Sequence, residues 1–193
     1  MTEKTDRHDL GVPRPEHPRP QFVRDEWLCL NGWWGFEVDA GDSGLERGLA
    51  ERELTGEILV PFCPEAPRSG LEETDRMAAV WYRRSFTVPS DWSGRRVLLH
   101  LQAVDHEATV WVNGKVVGRH RGGFTPTTCD ITDVALPGAT SAIVVRARDP
   151  WWEPQARGKQ AAAVHPNDAG RGAPMTRTFT ASSSNSSTVR EAP

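Results

Sequence analysis

The chain has 193 residues, 37% of them hydrophobic and 25% charged, with a formal net charge of −3. That composition suits a folded domain with a real core, and its slight acidity offers no field for nucleic acid or an anionic membrane. Length excludes something as well: a (β/α)8 barrel alone takes about 200–250 residues, so none fits here beside a second domain.

No stretch approaches the ~20 consecutive apolar residues of a membrane span. Met1–Asp9 is charged and has no apolar segment of the kind a secretory signal needs. The three cysteines, Cys29, Cys63 and Cys129, are widely spaced and odd in number. They fit reduced thiols better than a disulfide scaffold or a zinc site, and a cytoplasmic setting is expected.

Taken in order, residues 1–17 form an extended lead-in, and proline punctuation continues to Arg24, with Pro13, Pro15, Pro18 and Pro20 nearly alternating. Such spacing favours a polyproline-like path over a surface. Trp34, Phe36 and Val38 alternate with Trp33, Gly35 and Glu37, the period of a strand. Gly41–Gly56 is a charged insert in which Leu45 and Leu49 sit at i and i+4, so at most a short surface helix is expected. Ile58–Phe62 reads as a short strand that Pro61 and Pro64 stop.

Trp81–Val88 alternates again and ends at Pro89, and Val97–Val104 puts Val97, Leu99, Leu101 and Ala103 on one face. Thr109–Val112, Asn113-Gly114 and Lys115–Val117 read as a hairpin, because both central residues of a type I′ turn need positive φ. Apolar residues on both of its faces predict a central place in the sheet. Ala142–Arg148 is the last predicted strand, with Ile143, Val145 and Ala147 on one face. Short strands divided by Pro, Gly, Asp and Ser, with almost no helical signal, predict an all-β antiparallel sandwich.

Composition shifts after Gln160. Residues 161–193 hold four large apolar side chains, Val164, Met175, Phe179 and Val189, among Ala, Ser, Thr, Arg and Pro. That is too little apolar surface to offset the entropy of ordering, so a disordered tail is expected there.

Residues 18–160 carry a series of short stretches that together resemble the N-terminal sugar-binding domain of glycoside hydrolase family 2, the β-galactosidase and β-glucuronidase family. They are Pro18-Arg19-Pro20-Gln21-Phe22, Leu30-Asn31-Gly32-Trp33-Trp34-Gly35-Phe36, Val60–Glu65, Trp81–Phe86, Ala108–Gly114, Gly118–Pro126, Asp130-Ile131-Thr132 and Arg157-Gly158-Lys159-Gln160. The resemblance implies a jelly-roll sandwich of the galactose-binding type. It also implies partners: a carbohydrate of the galactoside or glucuronide class, and a catalytic (β/α)8 domain or subunit.

The family's acid/base glutamate follows an asparagine, whereas Asn31, Asn113, Asn167 and Asn185 are followed by Gly, Gly, Asp and Ser. Retaining glycosidases need two carboxylates about 5–5.5 Å apart. No such pair can be named, so no catalytic residue is assigned here, and no cofactor or metal is implied. Thr127-Thr128 stands where the family usually has an aromatic after the Thr-Pro. The resemblance ends at Gln160, which suggests a truncated or frameshifted gene; a stand-alone module with a natural linker is the other reading.

Asp149 is the leading candidate for sugar contact, because it follows the Ile143–Arg148 strand on the apolar phase and should stand at the rim. The resemblance implies that it reaches the sugar, where a carboxylate accepting two hydroxyls would orient it; capping the turn at Pro150 is the structural alternative. Trp151 and Trp152 could stack on a pyranose or simply pack. Arg157 and Lys159 could bind substrate or pair with a neighbouring domain, which the family places near this loop. His120 reads as a hydrogen-bonded structural histidine, Asn113 as a turn residue, and Glu72, Glu73 and Asp75 with Arg68 and Arg76 as a solvated loop. Asp105-His106-Glu107 alternate sides and should not converge on a metal. Three functions follow: a family 2 hydrolase domain without its own catalysis, a free lectin-like module, and a docking subunit for a separate barrel.

Overall fold

The computed structural model describes residues 11–15, 25–75 and 77–149, together with the backbone of residues 179–184. The strands are β1 (Trp27–Cys29), β2 (Gly32–Asp39), β3 (Gly56–Val60), β4 (Ala79–Thr87), β5 (Arg96–Leu101), β6 (Glu107–Val112), β7 (Lys115–Arg121), β8 (Thr127–Asp130), β9 (Thr140–Arg148) and β10 (Phe179–Ser184). A six-stranded sheet runs β3-β2-β4-β9-β6-β7 and faces a four-stranded sheet ordered β1-β10-β5-β8. The only helical pieces among the described residues are short 3-10 turns at Pro67–Ser69 and Ser90–Trp92. The all-β sandwich expected from alternation is the fold observed.

Its core lies between the sheets. Phe36, Val80, Tyr82, Val110, Ile143 and Val145 of the larger sheet meet Val97, Leu99, Leu101 and Cys129 of the smaller one. Phe36 and Tyr82 pack edge-on with centroids 5.1 Å apart, the geometry their ring quadrupoles prefer. β4 and β9 pair over their full length, Ala79 opposite Arg148 through Thr87 opposite Thr140, and form the spine of the larger sheet.

The Leu30-Asn31-Gly32 stretch has a packing explanation. Asn31 is buried, and its amide donates to the carbonyls of Pro13 and Arg14 at 3.1 Å each, holding the lead-in against the sandwich. Gly32 adopts φ +132°, and a Cβ there would lie 2.8 Å from Arg84 Nη1. That guanidinium donates to the carbonyls of Leu30 and Asn31 at 2.9 and 2.8 Å. The Trp34 indole N–H donates to Leu30 O at 2.7 Å.

Four expectations are corrected. Gly41–Gly56 forms turns rather than a helix: Asp39 accepts from the Ser43 and Gly44 N–H groups where it begins, and the backbone reverses its hand at Gly48, φ 69°. Leu49 is fully buried there while Leu45 is half exposed. The hairpin turns at Asn113 (φ 49°) and Gly114 (φ 77°) as predicted, but only β6 is interior; β7 is an edge, with Val116 exposed. β5 stops at Leu101, short of Val104. Finally, within the tail expected to lack structure, Phe179–Ser184 form β10, bonded on both sides by β1 and β5. Backbone pairing supplies order where the side-chain composition predicts none. The other tail residues lie outside the described residues.

Candidate functional site

Five strands of the larger sheet finish at one end in a single pairing row. Asp39 lies opposite Ala79, Ala79 opposite Arg148, Arg148 opposite Glu107, and Glu107 opposite Arg121. Directly paired residues share a face, so this row carries its charges on the outer face, away from the core.

Asp149 follows immediately. Its N–H donates to Ala78 O at 2.9 Å, which carries the β4–β9 ladder one residue beyond the strand and fixes the backbone at the rim. The half-buried side chain is continuous with the inner phase of Ile143, Val145 and Ala147. Asp149 thus lies one residue past the end of β9. Trp151, Trp152, Arg157 and Lys159 lie outside the described residues.

The same end of the sheet is held by charge pairs that alternation alone did not reveal. Asp42, at φ 53°, turns back onto β9 and accepts from Arg146 and from Arg148, the latter at 2.6 Å. Burial pushes the Asp42 carboxyl up, but the hydrogen bonds and charges of Arg148 and Arg146 outweigh it and leave the group below the usual aspartate value. Glu107 bridges Arg148 at 3.2 Å and Arg121 at 3.3 Å. Arg146 also lies over the Trp81 ring, 5.8 Å from its centroid.

Behind this row the 40–55 segment is strapped across the outer face. Buried Asp39 accepts from the N–H groups of Ser43 and Gly44 at 3.0 and 2.7 Å and from the Trp81 indole at 3.1 Å. A Cβ on Gly44 would come within 2.4 Å of that indole nitrogen, so glycine is required by the close approach. Glu37 accepts from Arg47 and Arg52. The Arg52 hydrogen bond, opposed by burial and helped by the Thr55 N–H, holds its carboxyl below the usual glutamate value. Under the strap Leu49 packs with Trp81, Trp111 and Val144 as a second small core. The outward phase of Arg146 and Arg148 was visible in the sequence; their acidic partner, more than a hundred residues earlier, was not.

Other candidates take structural places. His120 Nε2 lies 2.9 Å from the Thr125 hydroxyl. Asn113 does more than turn the chain, donating to Val134 O at 2.7 Å and accepting from Ala142 N at 2.9 Å. Among the described residues no three His, Cys, Asp or Glu side chains gather in a metal-binding group. No helix among them is long and apolar enough to cross a membrane.

Comparison with known proteins accounts for this architecture. Residues 68–191 match the glycosyl hydrolase 2 galactose-binding domain-like family. The match continues past Gln160 and takes in β10, so the family pattern extends into the stretch that composition had set apart. A β-glucuronidase of Paenibacillus borealis is 36% identical over 131 residues, covering 66% of this chain and 22% of that enzyme. A β-galactosidase of Thermoanaerobacter pseudethanolicus is 40% identical over 67 residues, covering 35% of this chain and 9% of that enzyme. Among solved structures, the Lactobacillus rhamnosus β-glucuronidase superposes with a TM-score of 0.62 at 26% identity, covering 84% of this chain and 29% of its own. The apo β-glucuronidase of Ruminococcus gnavus gives 0.63 at 21% identity over 84% of this chain and 30% of its own. The chain thus spans about a fifth or less of these curated relatives. It belongs to glycoside hydrolase family 2, as the galactose-binding-like domain at the N-terminal end of that architecture.

Proposed function

We propose that this domain serves the substrate side of a family 2 β-glycosidase acting on glucuronides or galactosides, with hydrolysis carried out by a (β/α)8 barrel that it docks against. The observation that carries this reading is the anchored position of Asp149 at the rim, one residue past β9 and hydrogen-bonded through its backbone to Ala78. A carboxylate held there can accept two sugar hydroxyls and fix the ring for attack by groups on the barrel. Trp151 and Trp152 would stack on the ring or the barrel, and Arg157 and Lys159 would pair across the domain junction. A cytoplasmic setting is part of the proposal, supported by three cysteines that form no disulfide.

Reconstitution tests it. The chain is mixed with a family 2 β-glucuronidase fragment lacking its own first domain, and p-nitrophenyl β-glucuronide and β-galactoside hydrolysis are followed. One of the two activities should appear, and Asp149→Asn should lower its kcat/KM by about 10- to 100-fold, the loss of one or two charge-assisted hydrogen bonds. Restored activity that ignores Asp149→Asn refutes the sugar contact. A folded chain that binds methyl β-galactoside alone but never the barrel replaces this reading with a free lectin-like module.

A further inference from the structure

The row of charges at the end of the larger sheet continues onto its β7 edge, where one further charge, Arg119, stands beside it without an ion-pair partner among the described residues. Arg121 stands opposite Glu107 and Arg119 opposite Thr109, on the same outer face. A shallow open depression of about 310 Å³ lies here, lined by Glu107, Ala108, Thr109, Arg119, His120 and Arg121. That is at the small end of the range for ligand sites and is room for one pyranose ring. Glu107 is shared between Arg121 and Arg148. Arg119, by contrast, is exposed and forms no ion pair among the described residues, and the half-buried Thr109 hydroxyl has no hydrogen-bond partner among them.

We propose that this depression is a subsite for an acidic sugar, a pyranose bearing a carboxylate. Arg119 meets the carboxylate with the paired N–H groups of its fork, the geometry in which guanidinium and carboxylate match. The Thr109 hydroxyl and the Glu107 carboxylate meet ring hydroxyls, and Arg121 adds to the positive field. The sugar half of the proposal rests on the function proposed above; the anionic half rests on Arg119 and Arg121. The subsite lies at the same end of the sheet as Asp149, since Glu107 pairs with Arg148, the residue before it.

The test is an NMR titration of the full ¹⁵N-labelled chain with sodium methyl β-D-glucuronide, methyl β-D-glucoside and sodium sulfate. The glucuronide should shift amides of residues 107–109 and 119–121 and bind about tenfold more tightly than the glucoside, as one charge-assisted contact at an exposed site allows. Arg119→Gln, a change at an exposed side chain, should abolish that preference, and Arg119→Lys should restore only part of it. Equal binding of glucoside, sulfate matching the glucuronide, or no shift of these amides overturns the proposal. In those cases the arginines serve only to keep other strands off the β7 edge. Asp149→Asn separates this site from the one proposed above. A preference surviving Asp149→Asn and lost in Arg119→Gln supports the subsite whatever reconstitution shows. The reverse pattern refutes the subsite and leaves the Asp149 reading standing.

Discussion

Replacing Asp39 by asparagine should cost this domain a large fraction of its stability, although neither size nor shape changes. The Asp39 carboxylate is wholly buried and has both oxygens engaged. Oδ1 accepts from Ser43 N at 3.0 Å and lies 3.5 Å from Arg47 Nη1, while Oδ2 accepts from Gly44 N at 2.7 Å and Trp81 Nε1 at 3.1 Å. An amide can present only one acceptor oxygen. Turned to keep Gly44 and Trp81, it points its NH2 at the Ser43 N–H and at Arg47; turned the other way, it orphans two buried donors. Each orphaned buried donor costs about 1–3 kcal/mol, and bonds to a charged acceptor are stronger than those to a neutral one. The favoured orientation therefore predicts a loss of about 2–4 kcal/mol, against the 5–15 kcal/mol typical of a whole domain.

Urea denaturation followed by tryptophan emission measures this directly, because the strap covers Trp81 and Trp111. Asp91→Asn, at an exposed position in the 90–92 turn, is the control and should change stability by less than about 0.5 kcal/mol. A loss of under about 1 kcal/mol for Asp39→Asn would refute the claim that this carboxylate holds the strap down.

Other consequences can be checked on the same material. Leu49→Ala removes the fully buried side chain that joins the strap to Trp81, Trp111 and Val144; the expected loss is about 2–4 kcal/mol, with a red shift of native emission. Acid sensitivity should follow Asp42 and Glu37, whose carboxyls are held below their usual values. Their contribution is complete above the unfolded-state pKa and disappears as pH falls through the lower folded-state value, so Asp42→Asn should flatten the acid limb of a stability–pH curve. Asn113→Ala loses bonds to Val134 O, Ser141 and Ala142 N and strains a residue at φ 49°. It should cost about 2–3 kcal/mol in thermal or urea unfolding, and Asn113→Gly, free of the strain, should cost less.

The parts of the fold legible in the sequence were those whose packing is local and periodic. β2, β4 and β9 send alternate residues into the core between the sheets (Trp34 and Phe36; Val80, Tyr82 and Phe86; Ile143, Val145 and Ala147), and the Asn113-Gly114 turn demands a backbone that few other dipeptides adopt. β1, with three residues, is too short to show a period, and β8 offers one buried side chain, Cys129, among Thr127, Thr128 and Asp130. The strap misled for a different reason. Leu45 and Leu49 have helical spacing, but Gly48 takes a left-handed φ of 69° that ends the turn between them, and Leu49 finds its partners on β4, β6 and β9. The rim place of Asp149 could be read from strand phase. The arginine lining of the β7 depression could not, because Arg119 and Thr109 meet only through hairpin register and a counter-charge that goes elsewhere.

The smaller sheet is assembled from residues far apart along the chain. Trp27, Leu28 and Cys29 reach β5 only through β10, pairing with Ser182, Ala181 and Thr180. All pairings of the larger sheet, in contrast, fall between Gly32 and Arg148. On the ribosome, the larger sheet can therefore emerge in full while β5 still lacks its neighbour on one side. The backbone groups on that edge of β5 must wait for Phe179–Ser184. Pairings of such long sequence separation close slowly and leave strand edges open meanwhile. Until Phe179–Ser184 have emerged and paired, that edge of β5 stays open to other strands, and delay before they emerge lengthens the exposure.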